Sequence, residues 1–286
     1  MQVLESIQAV QQSSQAFKAV GNSVGYVPTM GYLHEGHIEL IKRAKKENDI
    51  VILSIFINPL QFGQNEDLDA YPRDREHDLK TAEEHGVDVV FYPTESIMYP
   101  RPMSLAISVN KRTDVLCGRS RPGHFEGVVT VLTKLFNICQ PDRVYFGMKD
   151  AQQVAVVDAL IEDFNFPVEL VAVSTVREED GLAKSSRNVN LSAEERAEAP
   201  AILEALMLGR SLVENGEKNP VEIRAQIRQF LENKTHGRID YIELLSYPAL
   251  EAVDTVKGQV ILAAAVHYSK ARLIDNIVFE ADGTAG

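Results

Sequence analysis

VGYVPTMGYLHEGHIELIKRAKKEND, residues 24–49, reads as a short apolar strand, a turn punctuated by Pro and Gly, and an amphipathic helix. Apolar residues at Leu33, Ile38, Leu40, Ile41 and Ala44, with Lys42, Arg43, Lys45 and Lys46 between them, follow the helical period. His34 and His37 stand three residues apart at the turn, which puts both imidazoles on one face at the start of the helix. The first N–H groups of a helix lack intrahelical partners, and the helix dipole favours negative charge there. Two ring donors added to that end make a cradle for phosphate. A histidine pair with this spacing is, taken alone, more often surface decoration or a capped turn. Here Pro28, Gly31 and Gly36 crowd the junction, and glycine lets a ligand approach the backbone closely. Zinc is rejected on spacing. The metalloprotease helix sets its histidines four apart, with Glu directly after the first and a third ligand downstream. Glu35 is in place, but the second histidine comes one residue early and no cysteine or histidine cluster supplies the missing ligands.

Outward from this unit, strand and helix alternate. Residues 3–20 read as an opening helix, and IVILSIFINPLQF (50–62) as a strand buried on both faces that ends in Asn58, Pro59, Gln61 and Phe62. RDREHDLKTAEEHG (73–86) is a charged helix closed by Gly86, and VDVVFYP a second buried strand stopped by Pro93. RPMSLAISVNKR (101–112) reads as a strand within an irregular region, GHFEGVVTVLTKLFNICQPD as a helix, and RVYFGMKD, DAQQVAVVDALIEDFNF and PVELVAVSTV as strand, helix and strand. Such alternation predicts an α/β fold, a Rossmann-like parallel sheet with helices on both faces, over residues 1–176. Ligands then sit beyond the carboxyl ends of the strands, so PTMGYLHEGH, NPLQFG, FGMKD and STVREEDGLAKSSR are expected to converge.

From residue 177 the character changes. The polar loop EEDGLAKSSRN (178–188) leads into LSAEERAEAPAILEALMLGRSLVENG, a helix opened by a Ser192 cap with Glu195 three residues on. A further helix over 220–233 and strands in RIDYIELLSY and KGQVILAAAVHYSKARLIDNIVF, with a hairpin at Lys257-Gly258, predict a smaller α+β C-terminal domain, 177–286, with the KSSR loop at its start.

Composition narrows the function classes. With 286 residues, 45% hydrophobic and 24% charged, the chain is long enough for two ordinary globular domains. A net charge of −12 argues against a general nucleic-acid binder. Cys117 and Cys139 form neither a metal nor a redox spacing, so free thiols in a reducing cytoplasm are expected. The apolar run at 50–57 is too short to span a bilayer, and the N-terminus does not read as a signal peptide.

The ordered motifs PTMGYLHEGH, INPLQFG, DLDAYPR, RPGHFEGV, FGMKDAQQ and TVREEDGLAKSSRN resemble the pantothenate synthetase (pantoate–β-alanine ligase) family, a branch of the nucleotidyltransferases with an H-x-x-H helix start. The resemblance implies ATP-dependent joining of pantoate and β-alanine through an enzyme-bound pantoyl adenylate, with AMP and pyrophosphate released. It also implies a homodimer and assigns His37 a catalytic role as donor. The residues taken alone are consistent with this: a carboxylate attacking the α-phosphate brings two anions together, so catalysis must be charge neutralisation and positioning. His34, His37, Lys149, Lys184 and Arg187 supply donors and positive charge, with Ser185 and Ser186 beside them. By resemblance, Met30, Gly31, Tyr32, Leu33, His34, Glu35, Gly36 and His37 contact ATP, as do Lys184, Ser185, Ser186 and Arg187. Gly147, Met148, Lys149 and Asp150 match the adenosine side, with Asp150 on the ribose and the Val176 backbone on adenine. Gln61 and Gln153 are assigned to pantoate and Gln61 also to β-alanine; an amide that both donates and accepts suits a substrate bearing hydroxyls beside a carboxylate. Met148 stands where many relatives carry Glu, and Lys184 where many carry Met. ATP chemistry implies Mg2+. Its protein ligand is left open, with Asp78 a candidate against the common case of a solvated helix carboxylate. The loop 178–188, with Gly181 as its hinge, is expected to be a lid over ATP. Another ATP-cleaving H-x-x-H enzyme and a non-catalytic nucleotide sensor on the same fold are the competing readings.

Overall fold

The computed structural model describes residues 1–63, 66, 68, 69 and 71–281; Asp67 and Ala70 of the DLDAYPR motif lie outside them. The chain forms two compact units. One takes Met1–Thr113, Cys117–Gly147 and Val156–Ser174; the other takes Asp114–Leu116, Met148–Ala155 and the described residues from Thr175 onward.

In chain order the first run of elements is β1 (Gln2–Leu4), α1 (Ile7–Ala19), β2 (Val24–Thr29), α2 (Glu35–Glu47), β3 (Ile50–Ile55), α3 (Arg75–Glu84), β4 (Val89–Phe91), α4 (Glu95–Met98), α5 (Leu116–Ser120), α6 (His124–Cys139), β5 (Arg143–Gly147), α7 (Ala151–Asp163) and β6 (Glu169–Val173). The six strands pair in parallel in the order β1-β4-β3-β2-β5-β6 and are flanked by helices. Both faces are apolar because both are covered. Tyr26 and Ile52 lie side by side on one face, Val27 and Leu53 on the other, and all four are fully buried. On the second face Leu40, Ile41 and Ala44 of α2 and Ala82 of α3 pack against Val27, Val51, Leu53 and Val90. β3, β4 and β1 lie to one side of β2, and β5 and β6 to the other, so the order reverses at the β2–β5 pair. A crevice opens at the carboxyl ends of the strands at such a switch point; β2 runs there into the histidine turn.

The opening helix is shorter than read from the sequence, because Gln2–Leu4 instead pair with Val89–Phe91 as an edge strand. RPMSLAISVNKR is a second correction: its alternation is real, but it has no ladder partner among the described residues, and Met103 and Leu105 are exposed.

The second unit continues with α8 (Ala193–Glu198), α9 (Ala201–Glu214), α10 (Pro220–Lys234), β7 (Arg238–Ser246), β8 (Gln259–His267) and β9 (Arg272–Glu280). Its sheet is antiparallel, in the order β7-β8-β9, and α9 and α10 bury Ile202, Leu206, Ile223, Ile227 and Leu231 with Leu244, Leu262, Val266 and Phe279. The single helix expected after Ser192 is broken at Pro200, which has no N–H to donate and whose ring crowds the preceding turn. The tight reversal falls between His267 and Arg272, closed by the Tyr268 N–H on the Ala271 carbonyl (2.8 Å), whereas Lys257-Gly258 ends a longer connection into β8.

Candidate active site

The turn between β2 and α2 is held by backbone geometry and by residues of α3. Gly31 (φ +83°) and Tyr32 (φ +52°) carry the chain through the left-handed region, and a Cβ on Gly31 would lie 2.8 Å from Asp78 Oδ2. Asp78 reaches up from α3 and accepts the backbone N–H groups of Tyr32 (2.9 Å) and Leu33 (2.7 Å). His77, beside it, donates through Nε2 to the Leu33 carbonyl (3.1 Å).

The chain then enters α2 through an imidazole capping box. His34 is the N-cap, and its Nδ1 accepts the Gly36 N–H at 3.1 Å; the Nδ1 of His37 accepts the His34 N–H at 3.3 Å. A nitrogen that accepts an N–H carries no proton, so in both neutral rings the proton sits on Nε2. The ring centroids are 4.1 Å apart. Two Nε2–H donors therefore stand at the electropositive end of α2, held in one tautomer by the helix start itself.

Gln61 belongs to the same unit. Its Oε1 accepts from Asn58 Nδ2 (3.2 Å), which leaves Nε2 as the donor end, and that end bonds Met30 Sδ at 3.0 Å. The expected pantoate contact is thus joined to the expected phosphate turn. Asn58 is buried and in turn accepts from the Tyr99 hydroxyl (2.8 Å) and donates to the Gly127 carbonyl (3.0 Å). The Gln61 main-chain carbonyl accepts from His124 Nδ1 (2.8 Å) and Arg121 Nη2 (3.4 Å). Arg121 also holds Glu66. Burial opposes ionisation of that carboxyl, but hydrogen bonds and charge from Arg121 outweigh it and keep the group below its usual range. The sequence offered RPGHFEGV only as a whole motif; its signal for these two residues was their place either side of Gly123 at a helix start.

The second unit holds Met148, Lys149, Asp150, Gln153, Val176, Lys184, Ser185, Ser186 and Arg187. Met148–Asp150 form one 3-10 turn, whose Met148 and Lys149 carbonyls both accept from Asn276 Nδ2 (3.0 and 2.9 Å). Lys149 Nζ lies 3.7 Å from Asp150 Oδ1, and Gln153 is half-buried on the first turn of α7. Ser185 caps a second 3-10 turn, Ser186–Asn190, by accepting the Arg187 N–H, and the Lys184 N–H bonds the Val176 carbonyl (2.9 Å).

Gly181 is not a free hinge. It is the apex of a hairpin bridged at Arg177 and Ala183, its N–H donated to the Glu178 carbonyl and its own carbonyl accepting from Arg177 Nη1 (3.0 Å). Arg177 pairs with the buried Asp275 (2.6 Å), and Arg196 spans Glu178 (2.7 Å) and Asp180. The cleft of about 450 Å³ beside this hairpin is lined by Arg177, Lys184 and Arg196 together with Glu178, Glu179 and Asp180, so its charge is mixed.

Asp78 does not fit a magnesium ion. It is buried, not solvated, each carboxylate oxygen already accepts a backbone N–H, and burial pushes its pKa up against those two bonds.

The family model described as Pantoate-beta-alanine ligase matches residues 2–278. A pantothenate synthetase of Geobacillus sp. (strain WCH70) is 59% identical over 280 residues, covering 98% of this chain and 99% of that one. The crystal structure of pantothenate synthetase from Thermus thermophilus superposes with a TM-score of 0.91 at 40% identity, over 98% of this chain and 99% of that chain. Pantoate-beta-alanine ligase from Francisella tularensis, complexed with beta-gamma ATP and beta-alanine, gives a TM-score of 0.79 at 34% identity, over 99% and 98%.

Proposed function

The chain belongs to the pantoate-beta-alanine ligase family, and on that premise we propose that it joins pantoate to β-alanine using ATP, through an enzyme-bound pantoyl adenylate. In the first step a pantoate carboxylate oxygen bonds to the α-phosphorus while the bond from that phosphorus to the pyrophosphate oxygen breaks. In the second step the β-alanine amine bonds to the acyl carbon, AMP leaves, and the nitrogen gives up a proton. Both steps need negative charge held in place, which preorganised donors do without reorganising as the reaction proceeds.

The observation that carries this reading is the imidazole capping box, two Nε2–H donors fixed at a helix N-terminus in the unit that also holds Gln61 on Met30. We assign His34 and His37 to the phosphates as donors, with Lys149 adding charge. ATP is assigned to Met30–His37, Gly147–Asp150, Val176 and Lys184–Arg187, pantoate to Gln61 and Gln153, and β-alanine to Gln61. The division into a catalytic part, 1–176, and a smaller part, 177–286, belongs to the same proposal. So do a homodimer, a cytoplasmic location and Mg2+ arriving with ATP, for which no protein ligand is assigned; no described helix is long and apolar enough to cross a membrane.

Incubation with ATP, pantoate and β-alanine tests the reading. AMP should appear in equal amount to pantothenate and depend on both acids. ADP as the product, or AMP without pantoate dependence, would overturn it.

A further inference from the structure

The motif RPGHFEGV has no part in the chemistry above, yet it grips the residue assigned to both acids. Four groups form a chain in which each hydrogen bond has only one permitted direction. The Gln61 carbonyl can only accept, so His124 Nδ1 carries the proton that it receives at 2.8 Å. The other ring nitrogen, Nε2, must then accept, and Arg121 Nη1, which can only donate, lies 3.1 Å from it. Arg121 is itself oriented by Glu66, with Nε 2.9 Å from Oε1. The same carbonyl receives Arg121 Nη2 at 3.4 Å, which uses its second lone pair.

Behind the turn, Gly127 of α6 closes the fit. A Cβ there would sit 2.3 Å from the Leu60 carbonyl oxygen and 2.6 Å from the Gln61 nitrogen, so the helix and the Pro59–Gln61 turn touch backbone to backbone. A turn pressed against a helix on one side and hung from a directional chain on the other has little freedom to move its side chain.

We infer that Arg121 and His124 are positioning residues for pantoate: they fix the Gln61 backbone so that its amide meets the substrate's hydroxyl and carboxylate oxygens in one pose. This rests on the reading of Gln61 as a pantoate contact. Neither residue needs to touch substrate to do this.

The test compares Gln61→Ala, His124→Ala and His124→Asn by steady-state kinetics, with thermal melting to confirm that each variant folds. Asn places an N–H near the position of Nδ1 and so restores the bond to the carbonyl. His124→Ala should raise the pantoate KM about 10-fold or more while the ATP KM stays within about 2-fold, since misplacing a positioning group by an ångström costs on the order of 10²-fold. His124→Asn should recover most of that loss. Equal rises in both KM values, or a silent His124→Ala beside a damaging Gln61→Ala, would overturn the inference alone. A silent Gln61→Ala would overturn the reading of the site and the inference with it. Should His124→Ala fail to fold, Arg121→Lys takes its place: Lys keeps the charge on Glu66 but cannot bond Glu66, His124 and Gln61 together, and the same split in KM is expected.

Discussion

At the residue scale the histidine pair has two jobs that substitution can separate. The Nδ1 of His37 caps the helix start, and its Nε2 carries the donor proposed for phosphate. Asn resembles the Nδ1 side of imidazole and lacks the Nε2 side. His37→Asn should therefore keep most of the cap while losing roughly 10²-fold or more in adenylate formation, the scale of one lost transition-state donor. His37→Ala should lose the same rate and, in addition, about 0.5–1.5 kcal/mol of stability with its bond to the His34 N–H. His85, which closes α3 with its ring on the Thr81 carbonyl (2.9 Å), should be nearly silent in the rate when changed to Ala. Pyrophosphate release and urea unfolding read the two effects, and equal rates for the His37 and His85 variants would refute the assignment. Asp78 works from below. Asp78→Asn turns an NH2 toward backbone N–H groups, so one of Tyr32 and Leu33 loses its acceptor, at about 1–3 kcal/mol for a buried unsatisfied donor. A chain that unfolds in urea at the wild-type midpoint would refute that brace.

At the element scale, the sequence was legible where the pattern is long and local. α2, α6 and the paired strands β2 and β3 repeat their apolar residues over enough positions for the period to speak, and Ser192 with Glu195 announced the start of α8. What depends on distant partners was not legible. β1 is three residues long and exists only because Val89–Phe91 offer it an edge, while the expected strand over 101–112 finds no ladder partner among the described residues. Gln61 could be singled out as an amide, but Met30, Arg121 and His124, which hold it, are 31, 60 and 63 positions away. The tautomer of His34 and His37 follows from capping geometry, which a list of residues does not contain. Glu195 gives the element scale its prediction. It accepts the N–H groups of Ser192 (2.8 Å) and Ser269 (2.7 Å), tying α8 to the β8–β9 turn, and these bonds hold its carboxyl at about 2. A carboxyl depressed on folding stabilises the chain above its unfolded pKa and loses that contribution as pH falls toward the folded value. Glu195→Gln should therefore differ most from wild type near neutral pH and converge with it between about 4.5 and about 2. Urea midpoints across that range check the sign; a difference that grows on acidification would contradict it.

At the scale of the whole molecule, the net charge of −12 sets the problem. A chain that repels anions at long range must bring ATP and a carboxylic acid together, so the work falls to a few local donors. The product of the first step is a mixed anhydride that water would destroy, which makes retention of the adenylate as important as its formation. The hairpin at Gly181 is pinned by Arg177 to Asp275 and by Arg196 to Glu178, so the glycine is no free hinge for the proposed lid. Retention can be measured without seeing the lid move. Given ATP and pantoate but no β-alanine, the wild type should release pyrophosphate in a burst of about one equivalent per active site and then nearly stop, as expected when the intermediate stays sequestered. Arg187→Ala should shrink the burst, because a guanidinium proposed for the phosphates is gone. Arg196→Ala leaves those groups intact but unpins the hairpin beneath them, so its burst should be followed by a steady leak of AMP. Steady AMP release by the wild type would show that water reaches the adenylate, and the loop would then be a phosphate clamp and no lid.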